Sequence, residues 1–127
     1  MKPFDLTADA FEKTVGQNGI VLIDFWAPWC PPCRAFSPIF EKVAEKHPEI
    51  AFAKVNTEEQ QELAAGLGIA SIPTLMAFRD GVLLFAQPGL VPEAFLRELI
   101  ERIGALDMNE VRRKIAEESQ TQIAATA

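Results

Sequence analysis

Residues 20–33 read Ile-Val-Leu-Ile-Asp-Phe-Trp-Ala-Pro-Trp-Cys-Pro-Pro-Cys, and the fold is decided there. The first eight are β-branched, aromatic or apolar on both faces, the pattern of a central strand covered by helices above and below. Asp24 is the exception within it. Pro28 closes the strand, and Cys30 and Cys33, the only cysteines of the 127-residue chain, follow within one helical turn. From Pro31 to His47 the apolar residues Phe36, Ile39, Phe40, Val43 and Ala44 recur at intervals of three and four, as one buried face of a long helix requires. Pro38 lies inside that pattern and is expected to bend the helix, not to end it.

Elements of the same kind extend on both sides. Upstream, Phe4 to Leu6 suits a short strand, and the Thr7 hydroxyl is placed to cap a helix running to about Val15 and ended by Gly16 and Gly19. Downstream, Ile50 to Asn56 continues the sheet, and a short helix follows, capped by Thr57 and stopped by Gly66 or Gly68. Asp80-Gly81 between two apolar runs is a strong hairpin signal. Pro92 then opens a helix that buries Phe95, Leu96, Leu99, Ile100 and Ile103 and stops at Gly104. The order β-α-β-α-β-α-β-β-α predicts an α/β fold. Its central mixed sheet has three strands joined by parallel crossovers plus a C-terminal antiparallel hairpin, with helices on both faces.

Residues 1–106 are thus expected to form one domain and 107–127 a C-terminal extension. The extension carries Met108, Val111 and Ile115 on a narrow stripe, which predicts a short helix fraying after about Glu118.

A composition of 49% hydrophobic and 24% charged residues, with nine Phe, is that of a globular chain that folds without staples. The formal charge of -6 offers no basic footprint, so neither nucleic acid nor an anionic membrane surface is expected as a partner. Asp24 and Pro28 interrupt the longest apolar run far short of a bilayer span. The N-terminus lacks the pattern of a secretory signal, so a cytoplasmic, reducing setting and a monomeric state are expected.

The cysteine pair has three readings. A tetrahedral metal site needs four ligands, but there is no second pair, and His47 falls roughly 20 Å from Cys33 at 1.5 Å per residue. A cluster shared between two chains stays open. A structural staple offers little, because the loop it closes is too short to restrict the unfolded chain much. The third reading is a reactive pair. At a strand-to-helix junction Cys30 sits where free amides and the helix dipole stabilise a thiolate, and Cys33, one turn in, is placed to attack a mixed disulfide.

With these residues in view, VLIDFWAPWCPPCRAFSPIFEKVAEKH, AKVN, LGIASIPTLMAFRDG and QPG, in this order and spacing, resemble the thioredoxin family over about residues 4–104. Pro31 replaces the usual glycine of the dipeptide, and Pro-Pro followed by Arg34 is similar to tryparedoxins and nucleoredoxins, but the compactness and segments of the rest resemble a bacterial-type member with a variant active site. The resemblance implies a thioredoxin fold and a protein-disulfide reductase working by dithiol–disulfide exchange, with Cys30 as nucleophile and Cys33 as resolving thiol. Asp24 then corresponds to the family's buried acid beneath the cysteines. Burial in an apolar strand is expected to raise its pKa into a range useful for proton transfer with Cys33. Lys54 matches the lysine near that acid. Ile72-Pro73 matches the cis-proline loop, and Trp29, Ile72 and Gly89 are expected to rim Cys30 as a substrate-binding surface together with Pro73. Pro32 fits the family pattern.

Pro31 removes an amide and stiffens the loop, and a potential somewhat less reducing than that of a Gly-Pro pair is expected from it. The resemblance implies no bound cofactor. Electrons would come from NADPH through a thioredoxin reductase, with oxidised proteins as substrates. An oxidase or isomerase on the same fold, and a non-catalytic binding subunit, are the competing readings.

Overall fold

The computed structural model describes residues 2–126, and the side chains of 2–120. Its strands are β1 (Phe4–Asp5), β2 (Ile20–Trp26), β3 (Ala51–Asn56), β4 (Thr74–Arg79) and β5 (Val82–Pro88). Between and after them lie α1 (Ala8–Gly16), α2 (Pro31–Lys46), α3 (Gln61–Gly66), α4 (Glu93–Ala105) and α5 (Met108–Thr126). The strands form one sheet in the order β1-β3-β2-β4-β5. β1, β3 and β2 run parallel, while β4 is antiparallel to both β2 and β5, the mixed sheet that the sequence predicts.

β2 is central, and its alternation sorts the core into two layers. Leu22 points to one face and packs with Phe36, Phe40, Phe52, Leu96 and Ile100 beneath α2 and α4. Ile23 and Phe25 point to the other face and join Phe11, Val55, Met76 and Phe78. Burying a side chain such as Phe40 contributes about 1.5–3 kcal/mol, so both faces of β2 are fixed strongly. α2 runs unbroken through Pro38. The β4–β5 turn has positive φ at both Asp80 (52°) and Gly81 (82°), the primed geometry a two-residue hairpin needs. Asp80 Oδ1 also accepts from Gly19 N at 2.7 Å, tying the turn to the entry of β2.

Several helix ends differ from expectation. Thr7 is the N-cap of α1, but its hydroxyl bonds the Asp9 carboxylate and leaves the helix amides alone. Thr57 does not cap α3: Gln60 holds that position, and the Thr57 hydroxyl donates to Trp26 O at 3.1 Å. Pro92 is the N-cap of α4, not its first helical residue, and the helix runs one residue past Gly104. α5 does not end near Glu118 but continues to Thr126. Arg79 Nη1 donates to Ile103 O (2.7 Å) and Leu106 O (2.9 Å), satisfying the orphan carbonyls at the end of α4. Asp107 Oδ1 accepts from Asn109 N at 3.0 Å, and Arg112 Nη2 reaches Asp80 O at 3.4 Å. Met108 is buried at the root of α5, whereas Ile115 is exposed. Among the described residues no helix is long and apolar enough to cross a membrane.

Candidate active site

The C-terminal end of β2 delivers the chain to Cys30, which is the N-cap of α2. Cys30 and Cys33 are both buried and are joined as a disulfide, with Cα atoms 5.2 Å apart. Pro31 and Pro32 fill the first two helical positions and have no N–H to give. The first amide of the helix is therefore that of Cys33, which donates to Cys30 Sγ at 3.3 Å. Arg34 N closes the turn on Cys30 O at 3.1 Å.

Antiparallel pairing of β2 with β4 sets Phe25 opposite Thr74, so the start of β4 lies beside the end of β2. The Ile72–Pro73 peptide bond there is cis, as the resemblance implies. Cys30 Sγ lies 3.7 Å from Ile72 O, and Ile72 packs against Ala27, Cys30 and Cys33. Gly89, at φ +95°, donates its amide to Pro73 O at 2.8 Å and joins the loop after β5 to the cis-proline. Trp29 stands beside the cysteines with 62% of its surface exposed. An exposed indole and an edge of exposed prolines next to a sulfur form a surface that a protein can contact.

Beneath this surface, Asp24 is fully buried and neither carboxyl oxygen has a hydrogen-bond partner among the described residues. Burial pushes its pKa up to about 7, against the opposing pull of the Lys54 ammonium. Lys54 is its register partner on β3. The lysine is half-buried; its Nζ donates to Ser37 Oγ at 2.9 Å and sits 4.6 Å from the Trp26 ring centroid. Asp24, Trp26 and Lys54 thus lie on the sheet face that α2 covers, and the disulfide caps one end of that layer. His47 lies at the other end of α2 and bonds Glu49 at 2.9 Å. Among the described residues no group of three or more His, Cys, Asp or Glu side chains is arranged to hold a metal.

The family model described as Thioredoxin matches residues 2–102. The chain belongs to the thioredoxin family. It is similar to "Putative thioredoxin 2" of Streptomyces coelicolor, with 54% identity over 114 residues, covering 90% of this chain and 85% of that protein. It is also 39% identical to "Thioredoxin 1" of Synechococcus elongatus over 99 residues, 76% of this chain and 92% of the relative. Among solved structures, a mutant thioredoxin from Halobacterium salinarum superposes with a TM-score of 0.77 at 34% identity, covering 84% of this chain and 94% of that one. Thioredoxins are protein-disulfide reductases that need no prosthetic group, and the bridged Cys30–Cys33 pair makes this chain a thiol–disulfide oxidoreductase of that kind.

The geometry gathers the site residues singled out from the sequence: Trp29, Pro31, Pro32 and Gly89 are exposed, Ile72 is half-buried, Cys30, Cys33 and Pro73 are buried just under them, and Asp24 and Lys54 lie deeper on the face that α2 covers. Two further residues, Trp26 and Ser37, join the site. Trp26 is two places after Asp24 on the same strand, so strand alternation puts it on the same face. Ser37 is four places after Cys33, one helical turn along the same side of α2.

Proposed function

We propose that this chain reduces oxidised proteins by a two-step exchange with a fixed division of roles. The Cys30 thiolate attacks one sulfur of a substrate disulfide, forms a mixed disulfide and expels the other substrate sulfur as a thiolate, which takes a proton. Cys33 then gives up its proton, to Asp24, and attacks Cys30 Sγ. The mixed disulfide breaks, the second substrate sulfur leaves as a thiolate and takes a proton from solvent, and the substrate's disulfide has been replaced by the Cys30–Cys33 disulfide. The carrying observation is Cys30 at the helix cap: its sulfur takes the first free amide of α2 and lies 3.7 Å from the carbonyl of Ile72, beside the exposed Trp29.

In this reading Lys54 tunes Asp24, and Pro31 and Pro32 set the turn between the sulfurs. Trp29, Ile72, Pro73 and Gly89 receive an extended substrate segment. The disulfide is returned to the dithiol by electrons from NADPH through a thioredoxin reductase. The chain acts as a monomer in the cytoplasm. Residues 1–106 form the working domain, and 107–127 form an extension outside the chemistry.

Insulin reduction followed by turbidity tests the reading, with dithiothreitol or with NADPH and a thioredoxin reductase as electron source. Wild type is expected to turn over with both sources, and Cys30→Ser with neither. Turnover by Cys30→Ser, or none by wild type, overturns it.

A further inference from the structure

Asp24 and Lys54 are paired in register on adjacent strands, with side chains toward the same covering helix. A buried acid and a lysine so placed have every electrostatic reason to join. They do not: Lys54 Nζ is hydrogen-bonded to Ser37 Oγ at 2.9 Å and lies over the Trp26 ring at 4.6 Å, while both Asp24 oxygens lack a hydrogen-bond partner among the described residues. The hydroxyl that holds the ammonium belongs to α2, one turn beyond Cys33.

We propose that Ser37 is a positioning residue for thiol exchange: by holding the Lys54 ammonium against α2, its hydroxyl keeps that cation from closing on Asp24 and leaves the carboxyl free to exchange a proton with Cys33. This rests on the role given to Asp24 above. The arrangement leaves Lys54 close enough to moderate the effect of burial on Asp24, yet short of an ion pair that would fix the carboxylate in its charged form.

Few other groups bear on Asp24. From β4 it meets its register partner Leu75, which is apolar. On α2, Cys33 is bridged to Cys30 and carries no charge in the oxidised protein, while Arg34, Glu41, Lys42, Glu45 and Lys46 are all exposed. On α4, Glu93 is paired with Lys42 and Arg97, and Glu98 with Arg102. Lys54 is therefore the charge whose position matters, and Ser37 is what sets that position.

The test is the titration of the Asp24 side-chain carboxyl, read by carbon-13 chemical shift in the oxidised protein. Wild type, Ser37→Ala, Ser37→Thr and Lys54→Met are compared. Alanine is a good helix former, so Ser37→Ala should keep α2 intact. Freed from its acceptor, the ammonium is expected to pair with Asp24 and lower its midpoint by about one unit, a tenfold change in the acid–base ratio. Ser37→Thr, which restores a hydroxyl, should titrate as wild type, and Lys54→Met should move the midpoint upward. An unchanged or raised midpoint in Ser37→Ala, or a Ser37→Thr shift equal to that of alanine, overturns the proposal. The underlying role of Asp24 is tested separately by the reduction rate of Asp24→Asn: a wild-type rate refutes that role, whereas the Ser37 result is read on the carboxyl itself.

Discussion

The Cys33 amide donates to Cys30 Sγ at 3.3 Å, and it is the only N–H among the first three helical positions of α2. A thiolate on Cys30 draws on one donor where a helix start with ordinary residues offers more. Both prolines also hold φ at the helical value in the bridged state, so the open dithiol gains less freedom. Both effects favour the disulfide over the thiolate. On this argument the pair is expected to be more reducing than a Gly-Pro pair, whereas the stiffened loop read from the sequence predicts a less reducing one, and the measured equilibrium decides between them. Pro31→Gly should therefore be the weaker reductant, with an equilibrium constant against glutathione changed about two- to fivefold. Equal constants, or a more reducing Pro31→Gly, refute this account.

Asp24 makes stability depend on pH. Its folded pKa of about 7 lies above the ordinary 3.8, so between those values the native state binds more protons than the unfolded chain. Stability from this group is complete below about pH 4 and declines as pH rises to about 7. Asp24→Asn should be more stable than wild type at pH 8, by on the order of 4 kcal/mol, with the gap closing toward pH 4. Urea denaturation of the oxidised proteins at pH 5 and pH 8 measures it. A gap that does not narrow at the lower pH contradicts the assignment.

Removing the resolving thiol should stop the reaction halfway. Cys33→Ser retains the Cys30 nucleophile and is expected to accumulate a mixed disulfide with an oxidised protein substrate, seen as a mass adduct released by dithiothreitol. Cys30→Ser should accumulate none. If the adduct forms on Cys33 in preference to Cys30, the two roles are exchanged.

Arg79 fastens the end of α4 through the carbonyls of Ile103 and Leu106. Arg79→Met keeps much of the aliphatic bulk and removes these charge-assisted bonds, which should cost about 1.5–3 kcal/mol in chemical denaturation. Insulin reduction at a temperature where the variant is folded should be unaffected.

Deleting residues 107–127 removes the buried Met108 contact and the Arg112 bond to Asp80, neither of which reaches the cysteines. The shortened chain is expected to reduce insulin at the wild-type rate and to lose about 1–3 kcal/mol of stability. A fall in rate at full folding would give the extension a part in the reaction.

The sequence reveals most where local demands are strict. The Asp80-Gly81 turn needs positive φ twice, few residue pairs supply it, and the hairpin is where it was expected. The two-sided apolar run of β2 likewise announces a central strand, with Asp24 as its one contradiction. Helix caps were less legible because several oxygens compete for the same amides: the Asn56 side chain takes those of Glu58 and Glu59, leaving Thr57 to turn toward Trp26. Cys30, Cys33 and Asp24 could be picked out from spacing and burial. The cis form of Pro73 was carried by resemblance alone, and the tie from Lys54 to Ser37 depends on how β3 and α2 meet, 17 residues apart in the chain.

Antiparallel pairing of β2 with β4 gives the molecule two poles. Cys30, Pro73 and Gly89 gather at one; Gly19, Asp80 and Arg112 meet at the other, where α5 is attached. Additions at the second pole are expected to leave the first untouched. A segment joined through α5 starts at the pole away from the cysteines, which makes that pole the handle for fusions.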